Sequence, residues 1–268
     1  GIMTETDISK LFAAGVLPGL LAIGLYFLVV QFIAWRHPQM LPRGEPCPWR
    51  ERLLSLKGLW ATLLLFAFVL GGIYVGFYTV TEAAGVGAVG TLVIGLLRRR
   101  LGPKEIKGAL VDTLRVSSAI MMIVLGAYLF GYFLTITQFT QNAVQFLVEL
   151  PVGKYGVLSL VLVGYFVLGA VMDELAMILL TVPIVFPAMM QLGFDPIWFG
   201  VIIVMAVTFG LICPPVGINV FVINSIVRDI TLVDIYRGTM PFIGIDVVRL
   251  IILVMFPAIS LWLPSLIP

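Results

Sequence analysis

Two apolar runs, each interrupted near its middle, constrain this chain more than any other feature. From Tyr155 to Met190 the only charged residues are the adjacent pair Asp173 and Glu174, and from Ile197 to Val227 there is no charge at all. The first run is broken by Gly169-Ala-Val-Met172-Asp173-Glu174, the second by Gly210-Leu-Ile-Cys213-Pro214-Pro215-Val-Gly217-Ile-Asn219. A bilayer accepts non-helical backbone only where protein or a water-filled cavity surrounds it, because each unsatisfied N–H or C=O in hydrocarbon costs several kcal/mol. Such breaks mark a polar site inside the membrane.

The chemistry of the second break follows from its residues. Pro214 and Pro215 lack N–H groups, so the carbonyls of Gly210 and Leu211, four residues earlier, are expected to lose their helical partners. Gly217 permits a turn or a close approach, and Asn219 brings an amide oxygen. Together they can present neutral oxygens to a hard cation such as sodium, the use that transporters make of discontinuous helices. The competing reading is a proline kink that shapes packing and binds nothing; so many helix-breaking residues together exceed what a kink needs.

The first break leaves two readings open. If the arms Tyr155–Met172 and Leu175–Met190 each cross the bilayer, Asp173 and Glu174 sit in a loop at the water surface. If they form a re-entrant hairpin, the acidic tip lies near the midplane, where a charged side chain costs about 2.5–3.5 kcal/mol on insertion scales and usually faces an aqueous path. Arm length does not discriminate, since a spanning helix needs roughly 17–25 residues.

Composition sets the class. Of the 268 residues, 61% are hydrophobic and 11% charged, too apolar for a soluble domain, so the expected fold is an all-α polytopic membrane protein. The net charge of +2 speaks about loop topology and gives no reason to expect nucleic acid. Cys47 and Cys213 are too far apart for a disulfide framework or a metal finger, and His37 reads as a solvated interface residue. With no transition-metal cluster and no phosphate loop, no enzyme and no organic cofactor are expected. An intramembrane enzyme using Asp173 as acid or base would need a second deep carboxylate or a His. The other deep candidate, Asp246, has Arg249 three residues on and is more simply an intrahelical ion pair or a scaffold contact.

The topology follows from the order of runs. Gly1 to Lys10 has no signal-peptide character and reads as a cut end. A first span is expected over Leu11–Trp35, then a connection (about 38–57) whose later part, Trp49 to Leu59, looks amphipathic and suited to the membrane surface. Residues 58–97 suffice for two crossings joined at Tyr78–Glu82. Basic residues flank them, from Arg43 to Lys57 before and Arg98, Arg99, Arg100, Lys104 and Lys107 after, and the positive-inside rule puts both flanks in the cytoplasm. A span over 113–137 and a short amphipathic helix over Gln138–Glu149 lead to the acidic-tip segment (155–190) and the broken run (197–227). The chain then passes Arg228, Asp229 and Arg237 into a last span, Gly238–Trp262. Gly15-Val-Leu-Pro18-Gly19, opening the first span, is similar to Gly238-Thr-Met-Pro241-Phe242, opening the last. By this count the two run in opposite directions, as inverted repeats do.

Three stretches carry a family resemblance: Met172-Asp173-Glu174-Leu-Ala-Met-Ile-Leu-Leu-Thr181-Val-Pro183, then Phe194-Asp195-Pro196-Ile-Trp-Phe-Gly200, then Gly210 through Phe221. With Thr79-Val-Thr81-Glu82-Ala83-Ala84 and the opening Leu11 to Gly19, the chain closely resembles the large membrane subunit of TRAP transporters, the tripartite ATP-independent periplasmic carriers. The resemblance covers essentially the whole chain in order.

It implies an elevator-type carrier of two inverted repeats in a bacterial or archaeal inner membrane, importing a carboxylate-bearing organic acid with sodium. A small four-helix membrane subunit and a periplasmic substrate-binding protein are its implied partners. This chain would be the second repeat, lacking the N-terminal repeat of the same subunit and hence half the site. Residues 1–112 would supply scaffold spans with the arm, 113–227 the transport-domain half, and 228–268 a connecting helix and final span. The hairpin reading of the first break is favoured. Gly169, Met172, Asp173, Glu174, Gly210, Cys213, Pro214, Pro215, Gly217 and Asn219 would form the ion and substrate site, with sodium held through Gly210, Cys213 and Asp173.

Two departures bear on this. Cys213 stands where the family commonly has Thr, and Val80 stands in a turn usually written with Pro, which is expected to soften it. The alternatives are a non-transporting structural or degenerate subunit, and a divalent-anion/sodium symporter, which would carry a Ser-Asn-Thr-like tip that Met172-Asp173-Glu174 is not.

Overall fold

The computed structural model describes residues 1–36, 38–39, 48–214, 217–227 and 230–267. His37, Cys47, Pro215, Arg228 and Asp229, and most of the connection before Trp49, lie outside the described residues. The described chain is all-α: α1 (Ile8–Arg36), α2 (Trp49–Tyr74), α3 (Val80–Leu97), α4 (Pro103–Ile136), α5 (Phe139–Glu149), α6 (Gly153–Gly169), α7 (Glu174–Gln191), α8 (Pro196–Gly210), α9 (Ile218–Ile226), α10 (Leu232–Met255) and α11 (Ala258–Leu261). Among the described residues, α1, α3, α4, α7 and α10 are long and apolar enough to cross a membrane. Large apolar side chains such as Trp35, Phe27, Phe66 and Leu129 are exposed, as a lipid-facing surface requires. The protein is a polytopic helical membrane protein.

Three elements differ from the sequence expectation. The amphipathic stretch from Trp49 is not a separate surface helix but the first turns of α2, unbroken to Tyr74. The connecting helix and last span are likewise one helix, α10, which contains Pro241 and ends at Met255, before Pro257. The turn before α3 is not softened by Val80. Thr79 accepts a hydrogen bond from the Glu82 backbone N–H, and the Glu82 carboxylate accepts from the Thr79 N–H at 2.8 Å and its hydroxyl at 2.9 Å. This reciprocal capping box satisfies the N–H groups of Thr79 and Glu82 at the helix start, so the cap does not depend on a proline at position 80.

The chain groups into two compact units, 1–36 with 120–268, and 37–119. In the smaller, α2 packs on α3, and Tyr78 at their connection donates to the Phe68 carbonyl at 2.5 Å.

In the larger unit α8 is the central element, with α1, α6, α7, α10 and α11 all packing against it. Its sequence, Pro196 to Gly210, has no polar face, and Phe199, Ile202 and Val207 are wholly buried. A helix this apolar packs against its neighbours over most of its surface, and only Val204 and Thr208 are left exposed. Its start is set locally. Asp195 at the N-cap accepts from the N–H groups of Ile197 and Trp198, both at 2.9 Å, and Pro196 takes the first helical position, where no N–H is needed. Trp198 then donates its indole N–H to the Leu253 carbonyl of α10 at 3.0 Å. Val157, Leu158, Val161 and Leu162 of α6 and Met177 and Met189 of α7 complete this core.

Candidate functional site

The two sequence breaks are structural breaks, and they touch. α6 stops at Gly169 and α7 starts at Glu174; α8 stops at Gly210 and α9 starts at Ile218. A Cβ placed on Gly210 would lie 2.6 Å from Gly169 Cα and 2.8 Å from its carbonyl carbon. One on Gly169 would lie 3.0 Å from Gly210 Cα. Main chain meets main chain: Gly210 has no room for a methyl group, and at Gly169 one fits only if the facing backbone gives by a few tenths of an ångström, so glycine at both positions permits the close approach. The rings before them, Phe166 and Phe209, meet edge to face with centroids 3.8 Å apart.

Beyond the contact, each break folds on itself. At the first, the Met172 N–H reaches back to the Leu168 carbonyl at 2.8 Å. Asp173 then turns extended, and its carboxylate accepts from the Leu175 N–H at 3.0 Å, capping α7. Gly169 and Ala170 are buried, Met172 and Glu174 half-buried and Asp173 exposed. The two arms are tied by hydroxyls. Thr181 donates to the Met177 carbonyl at 2.7 Å, so in the 2.6 Å contact between Tyr165 and Thr181 it is the tyrosine that donates.

At the second break the carbonyls of Gly210 and Leu211 are not bare, as the prolines alone would suggest. Gly210 O accepts from the Cys213 N–H and Leu211 O from the Asn219 N–H, both at 3.2 Å. Tight turns and the incoming strand of chain replace the lost helical donors, and each carbonyl keeps its second lone pair. Gly217 makes this return possible. Its φ of 49° is left-handed, and a Cβ there would sit 3.1 Å from Cys213 O and 3.4 Å from Leu211 O. It is also the N-cap of α9, whose start has no side-chain cap. Cys213 is half-buried, while Pro214 and Asn219 are exposed; Pro215 lies outside the described residues.

Among the sequence candidates, then, the structure brings Gly169 and Gly210 into contact and gathers the Leu211 and Cys213 carbonyls around Gly217. Asp173 has a local role as a cap. Among the described residues no three His, Cys, Asp or Glu side chains cluster as a metal site. Sequence reasoning passed over the Tyr165–Thr181 tie, although the like distances of these two hydroxyls from the acidic tip were the available signal.

A second polar group lies in the same unit. Asp246 and Arg249 of α10 are ion-paired at 3.0 Å, as their spacing suggests, and Tyr26 of α1 donates to the other Asp246 oxygen at 2.7 Å. That cross-helix bond joins residues far apart in the chain and had no sequence signal.

Residues 1–259 match the family model described as "Tripartite ATP-independent periplasmic transporter, DctM component". The chain is 40% identical over 264 residues to the C4-dicarboxylate TRAP transporter large permease protein DctM of Pseudomonas aeruginosa, a match covering 98% of this chain and 61% of that protein. It is 30% identical over 268 residues to the sialic acid TRAP transporter large permease protein SiaM of Vibrio cholerae, covering 99% and 62%. It is 28% identical to the ectoine TRAP transporter large permease protein TeaC of Halomonas elongata, covering 99% and 62%. The chain thus spans about three fifths of the length of these relatives.

Proposed function

Since this chain belongs to the DctM-component family of the tripartite ATP-independent periplasmic transporters, a transport family and not one of enzymes, we propose that it is part of a sodium-coupled permease. In this reading it imports a carboxylate-bearing organic acid across a bacterial or archaeal inner membrane. A periplasmic binding protein delivers the substrate, a small four-helix membrane subunit braces the scaffold, and the chain supplies half of the ion and substrate site, completed by an N-terminal repeat. C4-dicarboxylates are the first substrates to assay, because the relative at 40% identity carries that name.

The observation that carries this reading is the seam where Gly169 and Gly210 meet. A cation seated beside it would draw on the second lone pairs of the Gly210 carbonyl and its neighbours around Cys213, with Asp173 at the adjoining tip. The uncapped start of α9 at Gly217 points its positive dipole end toward the break, and helix starts of this kind favour anions. A bound cation lowers the cost of bringing a carboxylate to the same place. In this reading α6 and α7 form a re-entrant hairpin and α8 with α9 a broken helix, and they move together as an elevator.

The test is uptake into proteoliposomes holding the complete permease with its small subunit and binding protein, driven by a sodium gradient. Asp173→Ala and Asn219→Ala should each raise the sodium concentration for half-maximal uptake. Native sodium dependence in both variants, or uptake that is equal with potassium in place of sodium, overturns the coupling assignment.

A further inference from the structure

The turn between α3 and α4 carries the densest positive charge in the chain. Arg98, Arg99 and Arg100 follow α3 directly, and Lys104 and Lys107 share one face of the first turns of α4. All five are exposed, and the turn lies within the smaller unit. Among the described residues no carboxylate pairs with Arg99, Arg100, Lys104 or Lys107. The one acid in the turn, Glu105, accepts from the Gly102 N–H at 2.9 Å and so closes the start of α4.

The backbone holds these cations in a defined arrangement. The Arg99 N–H donates to the Leu96 carbonyl at 2.9 Å and the Arg100 N–H to the Gly95 carbonyl at 3.0 Å, the paired bonds of a Schellman stop. Leu101 then folds back over Gly95, where a Cβ would collide with its side chain. Such a stop puts one residue in the left-handed region, a place usually given to glycine; here it is Arg99, at φ 52°. Glycine at 99 would make the same turn without strain, and the other four cations would still keep the turn in the cytoplasm by the positive-inside rule. Charge at 99 is therefore kept against the preference of the backbone. Lys104 and Lys107 likewise sit near a helix start, where the macrodipole favours anions.

Depth identifies what answers this charge. α3 has 18 residues, and none after Glu82 is charged; a helix of that length rises about 27 Å, close to the hydrocarbon thickness. Arg98 to Arg100 come at its cytoplasmic end, at the level of the headgroup phosphates, and the cytoplasmic leaflet is the one that carries anionic lipid. We infer that Arg98, Arg99, Arg100, Lys104 and Lys107 form a binding site for the phosphate of an anionic phospholipid, which fastens the α3–α4 turn to the cytoplasmic leaflet.

A test needs neither transport nor the coupling ion. The complete permease is placed in nanodiscs of phosphatidylcholine doped with a photoreactive phosphatidylglycerol or, separately, a photoreactive phosphatidylcholine, and the crosslinked peptides are mapped by mass spectrometry. Phosphatidylglycerol should label residues 94–107 in preference to phosphatidylcholine. Arg99→Gly suits the left-handed position and should melt no lower than the native protein, yet it should cut that preference by about 5-fold, the factor for one basic residue beside an anionic surface. Arg99→Lys should keep it. Equal labelling by the two lipids in the native protein overturns the site, as does a native preference in Arg99→Gly. Excess glycerol phosphate in solution should leave the preference unchanged; if it abolishes the preference, the turn takes a soluble phosphate and the lipid assignment fails.

Discussion

Replacing Gly210 by alanine adds one methyl group where two backbones touch. The new carbon would lie 2.6 Å from Gly169 Cα and 2.8 Å from Gly169 C, whereas carbon atoms prefer about 3.5–4.0 Å. The seam must therefore open by about 1 Å, and no rotamer change can relieve a clash between main chains. Overpacking of this kind costs about 1–3 kcal/mol. Alanine's helix propensity returns up to about 1 kcal/mol in a helix interior, and less here, because Gly210 is the last residue of α8. The balance is a loss of about 1–2 kcal/mol, which at about 2–4 °C per kcal/mol for a domain of this size lowers the melting temperature by several degrees. Uptake should suffer more, because a misplacement of about 1 Å in a catalytic constellation costs up to about 100-fold and a closely fitted ion site is no more forgiving. Gly164 on α6 is the control, since a Cβ there meets nothing within 4 Å, and Gly164→Ala should be neutral or slightly stabilising. The assay is tryptophan-monitored thermal unfolding of the complete permease, with uptake measured in parallel. If Gly210→Ala and Gly164→Ala behave alike in both, the close seam is not a constraint on this protein.

Other consequences are directly measurable. Asp173→Ala removes the cap of α7 and should cost about 0.5–2 kcal/mol, whereas Asp173→Asn keeps a capping oxygen and should melt like the native protein. A shifted sodium dependence in the Asn variant then reports the charge alone. Glu82→Ala opens the capping box of α3 and should cost about 1 kcal/mol, with Glu82→Gln recovering most of it; equal melting temperatures for the two would deny the box any part in stability. Trp198→Phe strips the buried Leu253 carbonyl of its donor and should lower stability by about 1–3 kcal/mol, while an unchanged unfolding midpoint would mean that α10 finds another donor.

Much of this architecture is legible in local sequence. The start of α8 is written in Asp195-Pro196, the ends of α6 and α8 in Gly169 and Gly210, and the ion pair of α10 in the three-residue spacing of Asp246 and Arg249. All are decided within a few residues, where capping, propensity and missing N–H groups act. The same rules mislead where a neighbour intervenes. Trp49–Leu59 reads as a surface helix because its charges suggest an interface, yet nothing in its sequence stops the helix, and it runs on into α2. The carbonyls of Gly210 and Leu211 look bare until the returning N–H groups of Cys213 and Asn219 are counted. The capping box at Thr79 and Glu82 is written in the sequence itself, as Thr followed three residues on by Glu.

By itself, then, the amino-acid sequence determined the class, the helical runs and the places where they break, because hydrophobic length and helix-breaking residues act along the chain. Only the tertiary structure decided that the two breaks meet glycine to glycine, that Tyr165 ties the arms through Thr181, and that Tyr26 reaches Asp246 across 220 positions of sequence. Those contacts depend on which faces pack together. In a chain whose helices are apolar on nearly every side, hydrophobicity does not choose the face; small residues at close approaches and a few buried polar partners do.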